Sequence, residues 1–328
     1  MHRSSFAGRL TRLLLIATPL TLAALAGAAG HRVAISPQFV SGQVLRYRIE
    51  SSDVTSGQTT TPIANPEGGT HSTQNIHILV RLDALGAVPG VPGTMRLRAT
   101  CEKSTAQSQG DALDLKSVDA DDRYNRMEGH SLEIVMQANG QLAAAQGSDD
   151  VFTDPSVAGA LLSWLGRISY SGVPRGGISH GEKWKSDRAL PGLPLSGLTW
   201  HTESTYLQDE PCGPGPSSTG AVVRAAENEC AVLLTRFQIS RSGSAKSDAT
   251  PDEYRRNGLR TSGKWSGSGQ SLDSISLAHG LLVRSTQTSS QDLDYQITSA
   301  STGSSIQHKG RIESRSEITL LPDSPGTP

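Results

Sequence analysis

The chain has 328 residues, 35% of them hydrophobic and 4% aromatic, and a formal net charge of -1. That length allows a sizeable core in one large or two ordinary domains. The near-neutral balance lacks the basic surplus of an electrostatic nucleic-acid binder, so no nucleic-acid partner is expected.

Residues 1–28 read as a cleaved signal peptide. His2, Arg3, Arg9 and Arg12 form a positive start, Leu13 to Ala26 are apolar, and Ala26-Gly27-Ala28 offers small residues for cleavage. The apolar run is short for a membrane anchor and is broken by Thr18-Pro19. Export to the periplasm or the extracellular medium is therefore the expectation. The mature chain loses three arginines and no acid, which leaves a formal charge of -4. No later stretch is long and apolar enough to span a bilayer as a helix, so no transmembrane segment is expected in the mature chain. With no cysteine at the cleavage point, no lipid anchor is expected either.

After an extended arm, His31 to Ser41, the first strand shows Leu45, Tyr47 and Ile49 alternating with Arg46, Arg48 and Glu50. Residues 51–70 are rich in Ser, Thr, Gly and Pro and lack periodicity, which predicts a mobile loop. Ile76, Ile78, Val80, Leu82 and Ala84 form a second alternating set, and Met95, Leu97, Ala99 and Cys101 a third. Three strands with one apolar and one charged face describe an antiparallel sheet wet on one side. A short helix is one reading of Asp121–Met127. The run Ser131 to Leu142 then reads as strand, turn and strand, with Asn139-Gly140 at the turn.

The clearest helix follows. Asp154 is placed as N-cap and Pro155 as the first helical residue. Val157, Leu161, Trp164, Leu165 and Ile168 fall on a single apolar stripe. The sheet's apolar face is the partner such a stripe needs, so these five residues are the candidates to line a sheet–helix cleft.

The second half restarts at Gly181-Glu-Lys-Trp184. Strands are expected at 198–207, 221–226, 230–240, 259–268 and over the final 311–320, with a short capped helix across 250–258. The Gly-rich run Gly263 to Gly269 reads as a flexible or bulged strand. Ser271 to Leu282 aligns without a gap on Ser131 to Leu142, with Glu133 matched by Asp273 and Gly140 by Gly280. Duplication of a β unit and a chance match of two hairpins both explain this.

The Gly42-Gln-Val-Leu-Arg-Tyr47 strand, the Gly140-Gln-Leu hairpin, the Gly181-Glu-Lys-Trp184 element and the later Gly280 hairpin resemble a family of uncharacterised exported β-rich bacterial proteins. That resemblance implies a secreted β-rich protein and supplies no functional residues. At the level of fold alone, the chain is more distantly similar to the periplasmic lipoprotein-carrier architecture.

Motifs for chemistry are sparse. Asp119-Ala-Asp121-Asp122-Arg-Tyr-Asn125 starts like a calcium loop, but Tyr124 and His130 stand where Gly and Glu are needed, so it reads as a solvated acidic turn. The nine histidines show no compact ligand spacing, and no CxxC pair occurs. No metal, cofactor or catalytic residue is assigned. Cys212 and Cys230 flank a Pro/Gly-rich loop and are the candidate disulfide, against the alternative of free thiols. Trp164, Trp184, Trp200 and Trp265 read as core anchors, with a ligand-binding surface as the alternative.

The expected fold is mainly β, a large curved antiparallel sheet or open half-barrel from two similar β units with the amphipathic helix on its apolar face. The expected layout is a first unit at 29–150, helix and linker at 151–180, a second unit at 181–321 and a disordered tail at 322–328. The expected function is a non-enzymatic envelope protein binding an apolar or amphipathic, lipid-like ligand. The alternatives are a structural module that docks an envelope protein and a hydrolase assembled from distant strands.

Overall fold

The computed structural model describes residues 32–60, 69–110, 121–147, 150–153, 155–169, 172–189, 194–213, 229–241 and 243–322. The signal segment, the Asp154 cap, the strand expected at 221–226 and the tail beyond residue 322 lie outside them. Among the described residues eleven strands form one sheet. They are β1 (Val44–Thr60), β2 (Thr70–Ala87), β3 (Met95–Gly110), β4 (Ser131–Met136), β5 (Leu142–Gly147), β6 (Lys183–Ala189), β7 (Leu198–Pro211), β8 (Glu229–Arg241), β9 (Leu259–Ser276), β10 (Leu282–Ser299) and β11 (Ser305–Leu320). Helix α1 (Pro155–Ile168) joins β5 to β6, and a single turn, α2 (Asp252–Arg256), precedes β9.

The order β5-β4-β3-β2-β1-β11-β10-β9-β8-β7-β6 is antiparallel throughout. The chain enters in mid-sheet at β1, steps outward to one edge, crosses through α1 to the other edge and steps back until β11 pairs with β1. The early and late strands thus share a single sheet.

That sheet is rolled. The β4–β5 and β9–β10 turns are six strand spacings apart, about 29 Å if the sheet were flat. Both turns nevertheless touch the entering arm. Ser36 Oγ donates to Ala138 O at 2.9 Å, and Gln38 N donates to His279 O at 2.8 Å. The core agrees, since one apolar cluster runs from Leu132 and Ile134 on β4 to Leu233 on β8 while including Leu161 and Leu165 of α1. A helix of 14 residues is about 21 Å long and could not cover so many flat strands. The fold is therefore an open half-barrel with α1 on its inner face and the arm 32–43 across the end where the turns meet.

The inner face changes character along its length. Near the arm it carries Tyr47, Ile49, Ile78 and Val80, each no more than 2% exposed. Farther along the same face stand Ser51, Asp53 and Thr55 of β1, opposite Ser316, Ser314 and Ile312 of β11. This explains why residues 51–60 are strand rather than the expected loop. They are paired with β11 throughout and with β2 as far as Gly57, so backbone hydrogen bonds rather than a hydrophobic alternation hold them. Residues 61–68 lie outside the described set. The Gly263–Gly269 run pairs with β10 without a register shift, within a single β9 that continues to Ser276, although Gly263 takes a φ of 146°.

The acidic turn has a structural role that the sequence does not announce. β4 pairs only with the first part of β3, through Thr100, which leaves the far half of β3 with an open edge. The segment at 121–128 closes it. Asp121 accepts from Ser108 N at 2.7 Å, Asn125 Oδ1 from Ala106 N at 2.8 Å, and Glu128 from Ser104 N at 3.2 Å. A helical step of four residues rises about 6 Å and two strand residues span about 6.8 Å, so side chains in helical spacing can match every second N–H of a strand. An edge capped in this way is blocked from pairing with another chain.

The hairpin match holds at the turn and fails behind it. Gly140 and Gly280 both have positive φ, 80° and 63°. The first turn closes from Gln137 N to Gln141 O and the second from Ser276 N to Leu281 O, one residue longer. One residue of offset inverts every side chain on a strand. Leu132 is accordingly 1% exposed on the inner face, whereas its aligned mate Leu272 is 45% exposed on the outer one. Glu133 points outward to Arg96 and Arg98, and Asp273 points inward.

Cys212 and Cys230 are joined by a disulfide with a Cα–Cα distance of 5.0 Å. Cys101 is the free cysteine among the described residues, fully buried on the inner face, and burial pushes its thiol up to about 12. An acid raised in this way favours the folded chain below its ordinary value and loses that contribution as pH rises through about 12. At pH 8 the folded protein should react with a thiol reagent at least a hundredfold more slowly than the same chain in guanidinium. Rapid reaction of the native protein would mean that the inner face near Cys101 opens.

Candidate functional site

The candidate site lies where α1 ends. Val157, Leu161, Leu165 and Ile168 are each no more than 1% exposed and press against the strands. Their stripe is spent on packing. None of these four, nor Trp164, borders the cavity beside the helix, to which α1 contributes Gly166 and Arg167 instead. The cavity measures about 200 Å³ and is open on one side. Its other wall is the inner face of β6 to β10.

Three aromatic rings give that wall its apolar part. Trp184 on β6, Trp200 on β7 and Phe237 on β8 all border the cavity. Trp200 and Phe237 stack with centroids 4.3 Å apart, and the Arg188 guanidinium lies 5.7 Å from the Trp200 centroid. Phe237 can lie flat because β9 presents Gly269 beneath it, where a Cβ would come within 2.3 Å of the ring. Of the four tryptophans, Trp184 and Trp200 therefore face the cavity. Trp265 packs on a separate small cluster with Leu198, Phe237 and Ile239 and donates to Gln291 at 2.9 Å. Trp164 stands with its ring 5.7 Å from the Arg167 guanidinium, and its buried Nε1 has no acceptor among the described residues.

The polar part is an ordered relay. Arg167 Nη1 donates to Ser316 Oγ at 2.9 Å and Nη2 to Ser285 Oγ at 2.7 Å. Ser285 in turn donates to Asp273 Oδ1 at 2.6 Å, and Ser271 donates to Asp273 Oδ2 at 2.7 Å. Arg167 thus reaches its counter-charge through a hydroxyl rather than directly. Burial raises the Asp273 carboxyl above its ordinary value, against the pull of the two serines and Arg167. Burial also lowers Arg167, against the charge of Asp273. The relay bridges helix and sheet at the level where the inner face turns from apolar to hydroxyl-lined. An arginine three residues beyond Trp164, on the flank of the apolar stripe, was its only sequence signal.

Other clusters are less suited to chemistry. Asp187 Oδ1 lies 2.9 Å from His201 Nδ1, and Ser240 Oγ lies 3.3 Å from His201 Nε2, which is a Ser–His–Asp order. It sits on the outer face, with the Asp187 and His201 side chains 68% and 43% exposed. His180 pairs with Asp209, which also accepts from Tyr206. Among the described residues no group of three or more His, Cys, Asp or Glu could hold a metal ion, and no helix is long and apolar enough to cross a membrane.

Comparison with known proteins gives no family model and no curated protein that matches. Solved structures are similar at low level. A structure titled as showing lipid–protein interactions in lipovitellin matches at TM-score 0.41 and 11% identity, over 89% of this chain and 26% of that one. The chain thus spans about a quarter of that protein's length. OprB of Pseudomonas putida matches at TM-score 0.18 and 9% identity, over 84% of this chain and 94% of that one. The monoaromatic hydrocarbon channel CymD matches at TM-score 0.12 and 11% identity, over 87% and 90%. These scores are too low to carry an inference about function, and the family resemblance read from the short motifs finds no matching model.

Proposed function

We propose that this chain is an exported, non-enzymatic protein of the cell envelope that takes an amphipathic ligand into the cavity beside the end of α1. The observation that supports it is the pairing of an aromatic wall, Trp184, Trp200 and Phe237, with a charged and hydroxylated one, Arg167, Ser271 and Asp273, around a single opening. Ligand sites are concave and largely apolar, with a few placed polar groups that fix orientation. A fully packed half-barrel would have no reason to leave two tryptophans at such an opening.

The cavity is small. At about 200 Å³ it falls below the ~300–1,000 Å³ usual for ligand pockets. It therefore suits a head group and the first few carbons of a chain whose remainder follows the open side. Protein purified after export should yield, on organic extraction and mass spectrometry, a single class of amphipathic molecule near one per chain. Trp200→Ala should lower that yield at least tenfold while leaving the thermal midpoint within a few degrees. An empty extract, together with no saturable tryptophan fluorescence change on adding decanol or decanoate, would overturn the reading.

A further inference from the structure

We propose that the ligand's head group is anionic, a carboxylate or phosphate, and that Arg167 is the residue that holds it. This rests on the amphipathic reading above and adds the chemistry of one end of the ligand.

A guanidinium carries five N–H donors in a planar fork. Those of Arg167 make two hydrogen bonds, both to serine hydroxyls, Ser316 and Ser285. The residue is otherwise surrounded by protein, yet it keeps the surface through which it borders the cavity. A buried cation with donors to spare is costly unless something accepts from them. Lysine would be a cheaper plug. A fork beside an opening suits an oxyanion, which it can engage with two parallel bonds.

The counter-charge is arranged so as not to compete. Asp273 has each carboxylate oxygen occupied by a hydroxyl, Oδ1 by Ser285 and Oδ2 by Ser271. It balances the guanidinium through Ser285 rather than by a direct bond, although it too borders the cavity. A second cation borders the same opening, since Arg188 lies over the Trp200 ring. Asp187 borders it too, but its carboxylate is turned to His201 on the outer face. Trp184, Trp200 and Phe237 then receive the carbons next to the head group.

The test compares ligands that differ only at the head. Decanoate, decanol and inorganic phosphate are titrated at pH 8 against the full mature chain, with tryptophan fluorescence as the readout. Decanoate should bind at least tenfold more tightly than decanol, and phosphate alone should neither bind at comparable concentration nor displace decanoate. In Arg167→Met/Asp273→Asn, where both members of the relay are neutral, the tenfold preference should fall to twofold or less while decanol binding persists. Equal binding of decanoate and decanol to the wild type would overturn the anionic assignment and leave the amphipathic cavity standing. Binding of neither would overturn both. Phosphate binding as tightly as decanoate would keep Arg167 as an anion site and remove the aromatic wall from the function. The wild-type comparison decides the charge of the head group even if a variant fails to fold, and Arg188→Met, which should keep most of the preference, separates Arg167 from the second cation.

Discussion

Replacing Gly280 by alanine should lower the unfolding free energy by about 3 kcal/mol. One part is conformational, about 1–2 kcal/mol for a side chain forced into the left-handed region. The other is steric, about 1–3 kcal/mol for overpacking, because a Cβ at this position would stand 2.0 Å from Ser36 O. Gly140 makes the same demand from the other turn, where a Cβ would stand 2.1 Å from Ser169 O and 3.2 Å from Pro37 Cγ. Both turns grip the same stretch of the entering arm, so the two substitutions together should cost less than their sum. Gly303 supplies the control. It has a φ of 70° with nothing within 4 Å of an added Cβ, and Gly303→Ala should cost only about 1 kcal/mol. Urea midpoints measure all three. Equal losses at Gly280 and Gly303 would show that the arm is not clamped between the turns.

The second large effect is at the relay. Arg167→Met should destabilise the protein by about 3 kcal/mol at pH 8, since it strands the Asp273 carboxylate in the interior and frees the Ser285 and Ser316 hydroxyls. The pH dependence has a definite sign. The folded-state value of Asp273 lies above the ordinary carboxylate value, so its protonation favours folding fully below that ordinary value. The contribution is lost as pH rises through the raised one. Removing the Arg167 charge should raise the carboxyl further and widen that window. The variant's deficit should therefore shrink toward pH 5 and largely disappear in Arg167→Met/Asp273→Asn. Denaturant unfolding at two pH values checks this. A deficit independent of pH, or one that Asp273→Asn fails to relieve, would show that Arg167 acts through packing alone.

The disagreement between reading and structure falls along one physical line. Strand segments under α1 were legible, because burial on one face imposes an alternation with period two, as in Tyr47 and Ile49 or Ile78 and Val80. The continuations of the same strands were not. Ser51, Asp53 and Thr55 are held by ladders on both sides, and backbone hydrogen bonding leaves no trace in side-chain type. For the same reason Asp121 and Asn125 looked like part of a solvated turn. Their role depends on β4 being shorter than β3, which no property of residues 121–128 encodes. The helix stripe was legible as a stripe, but its use was not. Val157, Leu161, Leu165 and Ile168 were expected at a cleft and are enclosed in the core, while the cavity falls to Arg167 and to aromatic residues on β6, β7 and β8.

The sequence by itself determined a mainly β protein with one-sided strands, one amphipathic helix and tight glycine turns, because each of these is a local pattern of hydrophobicity or backbone freedom. Only the tertiary structure decided that the two sets of strands close into one sheet at the β1–β11 ladder, and that the sheet rolls until turns about 29 Å apart on a flat sheet meet across Pro37. It also decided the facing of the aligned hairpins. One extra residue in the second turn sends Glu133 outward to two arginines and Asp273 inward to Arg167. Pairing partners, roll and facing depend on distances between residues far apart in the chain, and those distances exist only once the whole sheet has closed on the helix.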